Sequence, residues 1–391
     1  MEKKYIITNP GSASRKYALY EGEKQLLFCH LEEEGDGFVA TYDILGEKKK
    51  VSVSQDDYKK SGAFLVSLLL EEKLIPQKNE IAAVGFRIVA PGDYFSTTKK
   101  IDSEYMEKLK NMLKKAPLHI AGAFSEIDEF SELLPEAVFV GISDSAFHSG
   151  LPGVSGEYAI TSDMRDGGIK RYGYHGISFS YVSQRMKDVF GSIPERAIIC
   201  HLGGGSSITA LRNGKSVDTT MGFTPLEGLV MATRSGDIDA GAAVEIARNK
   251  KLSLEKVEEY LNKECGLLGI SGFSSDIREL LKKESEGDER SSLALEMFVY
   301  RIKKYIGSYI ATLGGLDALV FTATVGERSH IMRSRICEKM DFLGIVIDEK
   351  KNEELAGEGF IEDASSRVKI AVIPTDETFE MAREIRNFLK L

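Results

Sequence analysis

The chain alternates short apolar runs with stretches whose apolar residues return every three or four positions. Tyr5-Ile6-Ile7-Thr8 reads as a buried strand that breaks off at a bare polar turn, Asn9-Pro10-Gly11-Ser12-Ala13-Ser14, before strand character resumes toward Tyr20. The plan returns later. Ala197-Ile198-Ile199-Cys200-His201-Leu202 runs into Gly203-Gly204-Gly205-Ser206-Ser207, an alternating strand follows, and Asn213-Gly214 is a strong hairpin signal, with Glu21-Gly22 in the matching place. Ile6 to Gly11 aligns with Ile198 to Gly203, and Ser12 and Ser14 find rough counterparts in Ser206 and Ser207. Two such units about 190 residues apart predict an internal duplication, two similar α/β halves facing each other across a cleft.

Further elements follow the same alternation. Residues 137–147 read as a buried strand ending at Asp144; residues 317–329 read as a strand closed by a glycine turn before a helix near His330. Helical periodicity marks 56–73, 103–115, 178–190, 240–250, 254–263, 292–313 and 376–390. A chain of 391 residues exceeds what one core usually serves, so two domains are expected, 1–147 and 148–379, with the last helix (380–391) packing back onto the first.

Composition narrows the classes. A net charge of −9 argues against a general nucleic-acid binder and against attachment to anionic membranes. No run approaches the length of a membrane span, the start lacks an apolar signal core, and the four cysteines form no CxxC pair. These features predict a cytoplasmic protein with reduced thiols.

The candidate chemistry begins with the two Gly/Ser turns. Small residues let backbone N–H groups and hydroxyls approach phosphate oxygens, and three consecutive glycines cost conformational entropy that an ordinary hairpin need not lose. Arg234 follows an apolar, aperiodic stretch (Thr219 to Met231) in a Ser/Gly setting, as a loop that holds a guanidinium for carboxylate or phosphate. Arg87 sits between Phe86 and Ile88, where an arginine is costly unless paired, and reads either as a structural ion pair or as a substrate anchor. His175, before a helix and beside Gly176, could donate to developing negative charge. Asp144 and Glu377 are acidic positions that could place Mg²⁺, although Glu377 could equally complement a helix dipole behind Thr375.

Together these stretches resemble the acetate kinase family, within the larger actin, Hsp70 and sugar-kinase fold group. The motifs are long: Tyr172 to Ser178, Gly214 to Asp239, Leu267 to Leu280, Tyr300 to Glu327 and Phe342 to Asp348. The resemblance implies a duplicated two-domain α/β fold with a nucleotide cleft between the halves, a homodimer through the second half, and ATP or ADP with Mg²⁺ (or Mn²⁺) as the nucleotide partner. It implies Mg²⁺ at Asn9 and Glu377, and phosphate contacts from Ser12, Ser14, His201, Gly203, Gly204 and Gly205. Arg87 and Arg234 match the arginines that hold carboxyl and phosphoryl groups, Asp144 an aspartate needed for catalysis, and His175 a histidine that stabilises the transition state. Asp276, Ile277, Arg278, Gly326 and Glu327 fall where the family binds adenosine. Val89, Leu118, Tyr174 and Pro225 match a small apolar pocket for the acid's alkyl end.

The chain departs from the pattern at Ala90, where His-Gly-Gly normally begins, at Phe179 for a second histidine, at Gly204 for asparagine and at Arg328 for asparagine. The implied reaction is reversible, in-line phosphorylation of a short-chain carboxylate, acetate or propionate, to an acyl phosphate. The acceptor is already ionised at neutral pH, so positioning and charge stabilisation carry the work rather than a general base. The competing expectation is a nucleotide-binding regulator on the same fold, which would bind nucleotide without turnover.

Overall fold

The computed structural model describes residues 3–11, 14–35, 37–113 and 117–390, with backbone alone at 117–119. The chain divides into two compact units, Met1–Ala146 with Asp376–Leu391, and Phe147–Thr375.

The first unit is built on an eight-stranded sheet. Its strands are β1 (Lys4–Pro10), β2 (Ser14–Glu21), β3 (Lys24–Glu34), β4 (Gly37–Ile44), β5 (Glu47–Val53), β6 (Ile81–Ile88), β7 (Lys99–Lys100) and β8 (Val138–Ser143), in the order β5-β4-β3-β2-β1-β6-β8-β7. β1 to β5 form an antiparallel meander, whereas β1, β6 and β8 run parallel. The second unit carries β9 (Arg196–Leu202), β10 (Ser206–Arg212), β11 (Lys215–Thr219), β12 (Ala318–Thr322), β13 (Gly359–Phe360) and β14 (Lys369–Val372), ordered β11-β10-β9-β12-β14-β13.

Five strands of each sheet correspond in order and direction: β3-β2-β1-β6-β8 and β11-β10-β9-β12-β14. The sequence echo is therefore a topological duplication, with β1 and β9 as equivalent central strands. The second hairpin turns as its sequence requires, Asn213 and Gly214 both having positive φ (50° and 75°).

The parallel strands are covered on both faces, which explains their unbroken apolar runs. In the first unit Val84 and Phe86 pack with Leu65, Leu69, Ile127 and Phe130 from helices Ser61–Glu71 and Pro117–Leu133. Helix Glu377–Leu389 buries Met381, Ala382 and Ile385 and packs against β1, β6 and β8. Gly85 makes room for it, since a Cβ there would collide with Ile385 Cδ1. In the second unit the long helix Glu289–Leu313 packs Phe298, Ile302 and Ile306 beside Ile198, Cys200 and Phe321. Helix Gly176–Phe190 packs Phe179, Val182 and Met186 beside Ile199 and Val320.

Two expectations change. The strand read over 317–329 ends at Thr322, and its presumed glycine turn is helix Ala323–Arg328, with Gly326 buried inside it. Helix Pro117–Leu133 was not expected, yet Ile120, Ala123, Ile127, Phe130 and Leu134 recur at helical spacing and are all buried. No described helix is long and apolar enough to cross a membrane.

Candidate active site

In the first unit the charged groups gather where the three parallel strands end, the usual place for a ligand on such a sheet. Asn9 lies near the end of β1, Arg87 near the end of β6 and Asp144 directly after β8, while Glu377 opens the helix packed on these strands. Arg87 grips Asp144 with two hydrogen bonds, Nε to Oδ1 at 3.1 Å and Nη2 to Oδ2 at 3.0 Å. Its Nη1 donates to Asn9 Oδ1 (3.2 Å) and Glu377 Oε2 (3.4 Å), and Asn9 Nδ2 donates to the same Glu377 oxygen (2.7 Å). Burial by itself would lower the guanidinium pKa, but Asp144 and Glu377 outweigh it and hold the value above its ordinary level. Arg87 is thus ion-paired, one of its two readings from sequence, and the pairing leaves it among the groups of the site.

In the second unit the corresponding strand end carries His201, at the position Asn9 holds in the first. His175 stacks on it, ring centroids 4.2 Å apart and planes 22° from parallel. Each imidazole meets a serine through Nδ1: Ser207 Oγ lies 2.9 Å from His175, and Ser178 Oγ 2.8 Å from His201. His175 is left-handed (φ 57°, ψ 22°) at the start of helix Gly176–Phe190, a strained conformation for a residue with a Cβ. Phe179, fully buried, packs edge-on against His201, so the expected second histidine has become part of the support beneath the ring stack.

Arg234 lies in a loop closed on itself. Gly228 N–H donates to Asp237 Oδ1 (2.8 Å), Asp237 N–H donates back to Gly228 O (3.0 Å), and Met231 N–H bonds Arg234 O (3.1 Å). Ala232 N–H reaches Gly204 O (3.1 Å), fixing the loop to the triple-glycine turn. Arg234 Nη1 donates to the carbonyl of Pro225 (3.3 Å), tying the guanidinium to a residue expected in the acyl pocket. Gly205 reveals the convergence: a Cβ there would stand 3.1 Å from His175 Nε2 and 3.5 Å from Arg234 Nη1. The third glycine is bare because two nitrogen-bearing side chains come together against it.

Tyr174 is fully buried, with its hydroxyl on Phe223 O (2.6 Å), and its own carbonyl faces His148 Nε2 at 3.1 Å. Burial depresses His148 to about 4 against the bond to Tyr174 that favours its charged form, so it is neutral at physiological pH. Val89 follows β6 and is half-buried. Leu118 begins a helix, its side chain outside the description, and Ser12 lies outside the described residues altogether. Ser14 opens β2, with Gly11 N–H donating to its carbonyl (2.7 Å).

Among the residues expected near adenosine, Asp276 caps helix Ile277–Ser285 by accepting from Arg278 N–H (2.8 Å) and also pairs with the exposed Arg278 side chain (2.5 Å). Buried Arg333 Nη1 donates to Gly326 O and Glu327 O, both at 2.9 Å. Glu327 Oε1 accepts Thr375 N–H (3.0 Å), and Thr375 Oγ1 accepts from Ser178 (2.8 Å). Ser178 and Arg333 were not singled out from sequence. Ser178 sits within a quoted motif, but nothing in the spacing says which serine meets a histidine. Ser206 and Ser207, the rough sequence counterparts of Ser12 and Ser14, are engaged locally: Ser206 bonds within its own turn and Ser207 meets His175.

A sequence model described as the acetokinase family matches residues 4–383. The chain belongs to the acetokinase family. An acetate kinase of Clostridium novyi (strain NT) is 41% identical over 395 residues, covering 99% of this chain and 98% of that protein. Among solved structures, the acetate kinase of Porphyromonas gingivalis is 38% identical, covers 99% of this chain and 100% of its own, and superposes with a TM-score of 0.85. A propionate kinase from Francisella tularensis subsp. tularensis SCHU S4 is 36% identical, covers 98% of each chain and has a TM-score of 0.89. Two neighbours that differ in their named acid thus share this chain's architecture over nearly its full length.

Proposed function

We propose that this protein transfers the γ-phosphoryl group of ATP to a short-chain carboxylate, reversibly, with Arg87, Asp144, His175 and Arg234 as the groups that act on the reacting centre. The chain is a phosphotransferase with a carboxyl acceptor. The observation that carries the assignment of roles is the meeting of His175 Nε2 and Arg234 Nη1 against Gly205. In-line transfer between two anions requires donors that are in place before charge develops. A guanidinium tied to Pro225 and an imidazole stacked on His201 are two such donors.

Arg87 binds the acceptor carboxylate on this reading, and Asp144 holds the guanidinium flat and charged for that task. Val89, Leu118, Tyr174 and Pro225 form the wall for the alkyl end. Each further methylene needs apolar volume worth about 0.8 kcal/mol, which favours acetate or propionate. Ser14, Ser12, His201 and Gly203 to Gly205 serve the nucleotide phosphates, and Asp276, Ile277, Arg278, Gly326 and Glu327 the adenosine.

The oxygen donors of Asn9 and Glu377 suit Mg²⁺, a hard cation that completes its shell with phosphate oxygens and water. Among the described residues no group of three or more His, Cys, Asp or Glu is gathered, consistent with a metal that arrives with its nucleotide. When bound, Mg²⁺ neutralises phosphate charge. A homodimer through the second unit is supported by Leu293, Met297 and Tyr300, which stand exposed at helical spacing along Glu289–Leu313.

The test is capture of acyl phosphate with hydroxylamine, with Mg-ATP and formate, acetate, propionate or butyrate in parallel. A signal peaking at acetate or propionate is expected. Nucleotide binding without signal from any acid would overturn the reading in favour of a regulator.

A further inference from the structure

We propose that Ser207 is a positioning residue for the reaction: its buried hydroxyl donates to Nδ1 of His175 and so keeps the imidazole proton on Nε2, the nitrogen that faces Gly205 and Arg234. The inference rests on the reading of His175 as a donor to the transferred group, and deepens it by naming what sets that donor.

The geometry is specific. Ser207 is fully buried in β10, in register opposite His201 of β9, and its Oγ lies 2.9 Å from His175 Nδ1. On the other edge of the same ring, Nε2 is the atom nearest the space beside Gly205. A neutral imidazole carries one proton, and the partner of one nitrogen decides whether the other donates or accepts. A hydroxyl has a free rotor and can donate, whereas a carboxylate or carbonyl at the same place could only accept and would draw the proton to Nδ1. A serine is therefore the neutral side chain that can leave Nε2–H directed outward without adding a negative charge next to incoming phosphates.

Two features hold the ring for this bond. His175 holds a left-handed backbone at the cap of its helix and makes no side-chain cap bond there, and the stack on His201 fixes the ring plane. The groups that face His175 include the imidazole of His201 across the stack and the guanidinium of Arg234 beside Gly205. Neither is an acceptor of a kind that would pull a proton onto Nδ1. Ser178 Oγ lies 2.8 Å from His201 Nδ1, but its one proton goes to Thr375 Oγ1, so toward that ring it accepts where Ser207 donates to the other.

The test labels the six histidines with ¹⁵N and compares the full-length protein with Ser207→Ala and Ser207→Thr, alongside steady-state kinetics in the direction of acyl phosphate formation. The expected wild-type spectrum shows His175, assigned by its absence in His175→Gln, as the Nε2–H tautomer. Ser207→Ala should lose that preference and lower kcat by about 10- to 100-fold, the range for removing the partner that orients a functional histidine. KM for ATP and for the acid should stay within about twofold, and Ser207→Thr should restore both tautomer and kcat. An Nδ1–H tautomer in the wild type, or an unchanged tautomer in Ser207→Ala, overturns the proposal. A changed tautomer with unchanged kcat overturns it too, and places the failure in the role given to His175 rather than in the contact. Wild-type acyl phosphate formation measured in the same series tells failure of the kinase reading from failure of this one.

Discussion

Arg87 and Asp144 face each other through two hydrogen bonds, with the aspartate side chain 1% exposed and the arginine 15% exposed. Removing one partner of such a pair leaves an uncompensated charge in a desolvated place, while removing both is far milder. Arg87→Ala should therefore lose about 3–5 kcal/mol of stability as well as its activity. The double variant Arg87→Ala/Asp144→Asn should recover much of the stability and none of the turnover. Urea unfolding of the two single variants and the double variant decides it; additive losses would show that the pair is not coupled.

Gly205→Ala should separate activity from folding. The added methyl has ordinary backbone freedom at this position but would meet His175 Nε2 at 3.1 Å, closer than ring and methyl tolerate without movement. Turnover should fall about 100-fold, the scale of losing one preorganised donor, while the thermal midpoint changes little. Gly204→Ala next to it meets no described protein atom within 4 Å and should leave the thermal midpoint near wild type, while its methyl stands in the turn proposed for the phosphates and should raise KM for ATP.

Arg234→Ala should abolish transfer while ATP binding, measured by calorimetry, stays largely intact. The loop keeps its Gly228–Asp237 closure without the side chain, so the folded protein should survive the change. Near-normal turnover would remove Arg234 from the reacting centre.

Two buried groups should tilt stability with pH in opposite senses. His148, held down to about 4 by burial, is neutral when folded but free to protonate when unfolded. Its contribution is full above the ordinary histidine value and drains away as pH falls from about 6.5 to 4. Glu126, pushed up to about 7 by burial against the bond from Tyr17 that favours its charged form, keeps its proton in the folded state. Its contribution is full below about 4.5 and is lost as pH rises toward 7. Glu126→Gln should flatten the loss toward neutral pH, and His148→Gln the loss toward acid, each by about 3 kcal/mol across its window. Unfolding midpoints at pH 4.5, 5.5 and 7.5 would expose a wrong sign in either.

The fold was legible to the degree that its signals are local. Strand runs, the Asn213-Gly214 turn and the repeated Gly/Ser stretch each depend on neighbours within a few residues, and the duplicated strand order follows from them. Helix Pro117–Leu133 was missed although its apolar positions fall on one face, because Ala121, Gly122 and Ser125 stand on the exposed face where charges would sharpen the contrast. Arg87, Asp144, His175 and Arg234 stand out in the sequence because charge or polarity in an apolar or glycine-rich setting is itself a signal. Ser207 and Ser178 gave none: a serine in a strand or a helix says nothing of what it meets, and only the closing of β10 on β9, and of the helix at Gly176 on both, brings each to its ring.

β1 and β9 are copies of one strand, and the residue near the end of each sits in the same place: Asn9 in one, His201 in the other. The copies have parted in trade. One end offers amide and carboxylate oxygen, the other stacked imidazole, so a transplant of either turn into its twin would hand the enzyme two of one tool and none of the other.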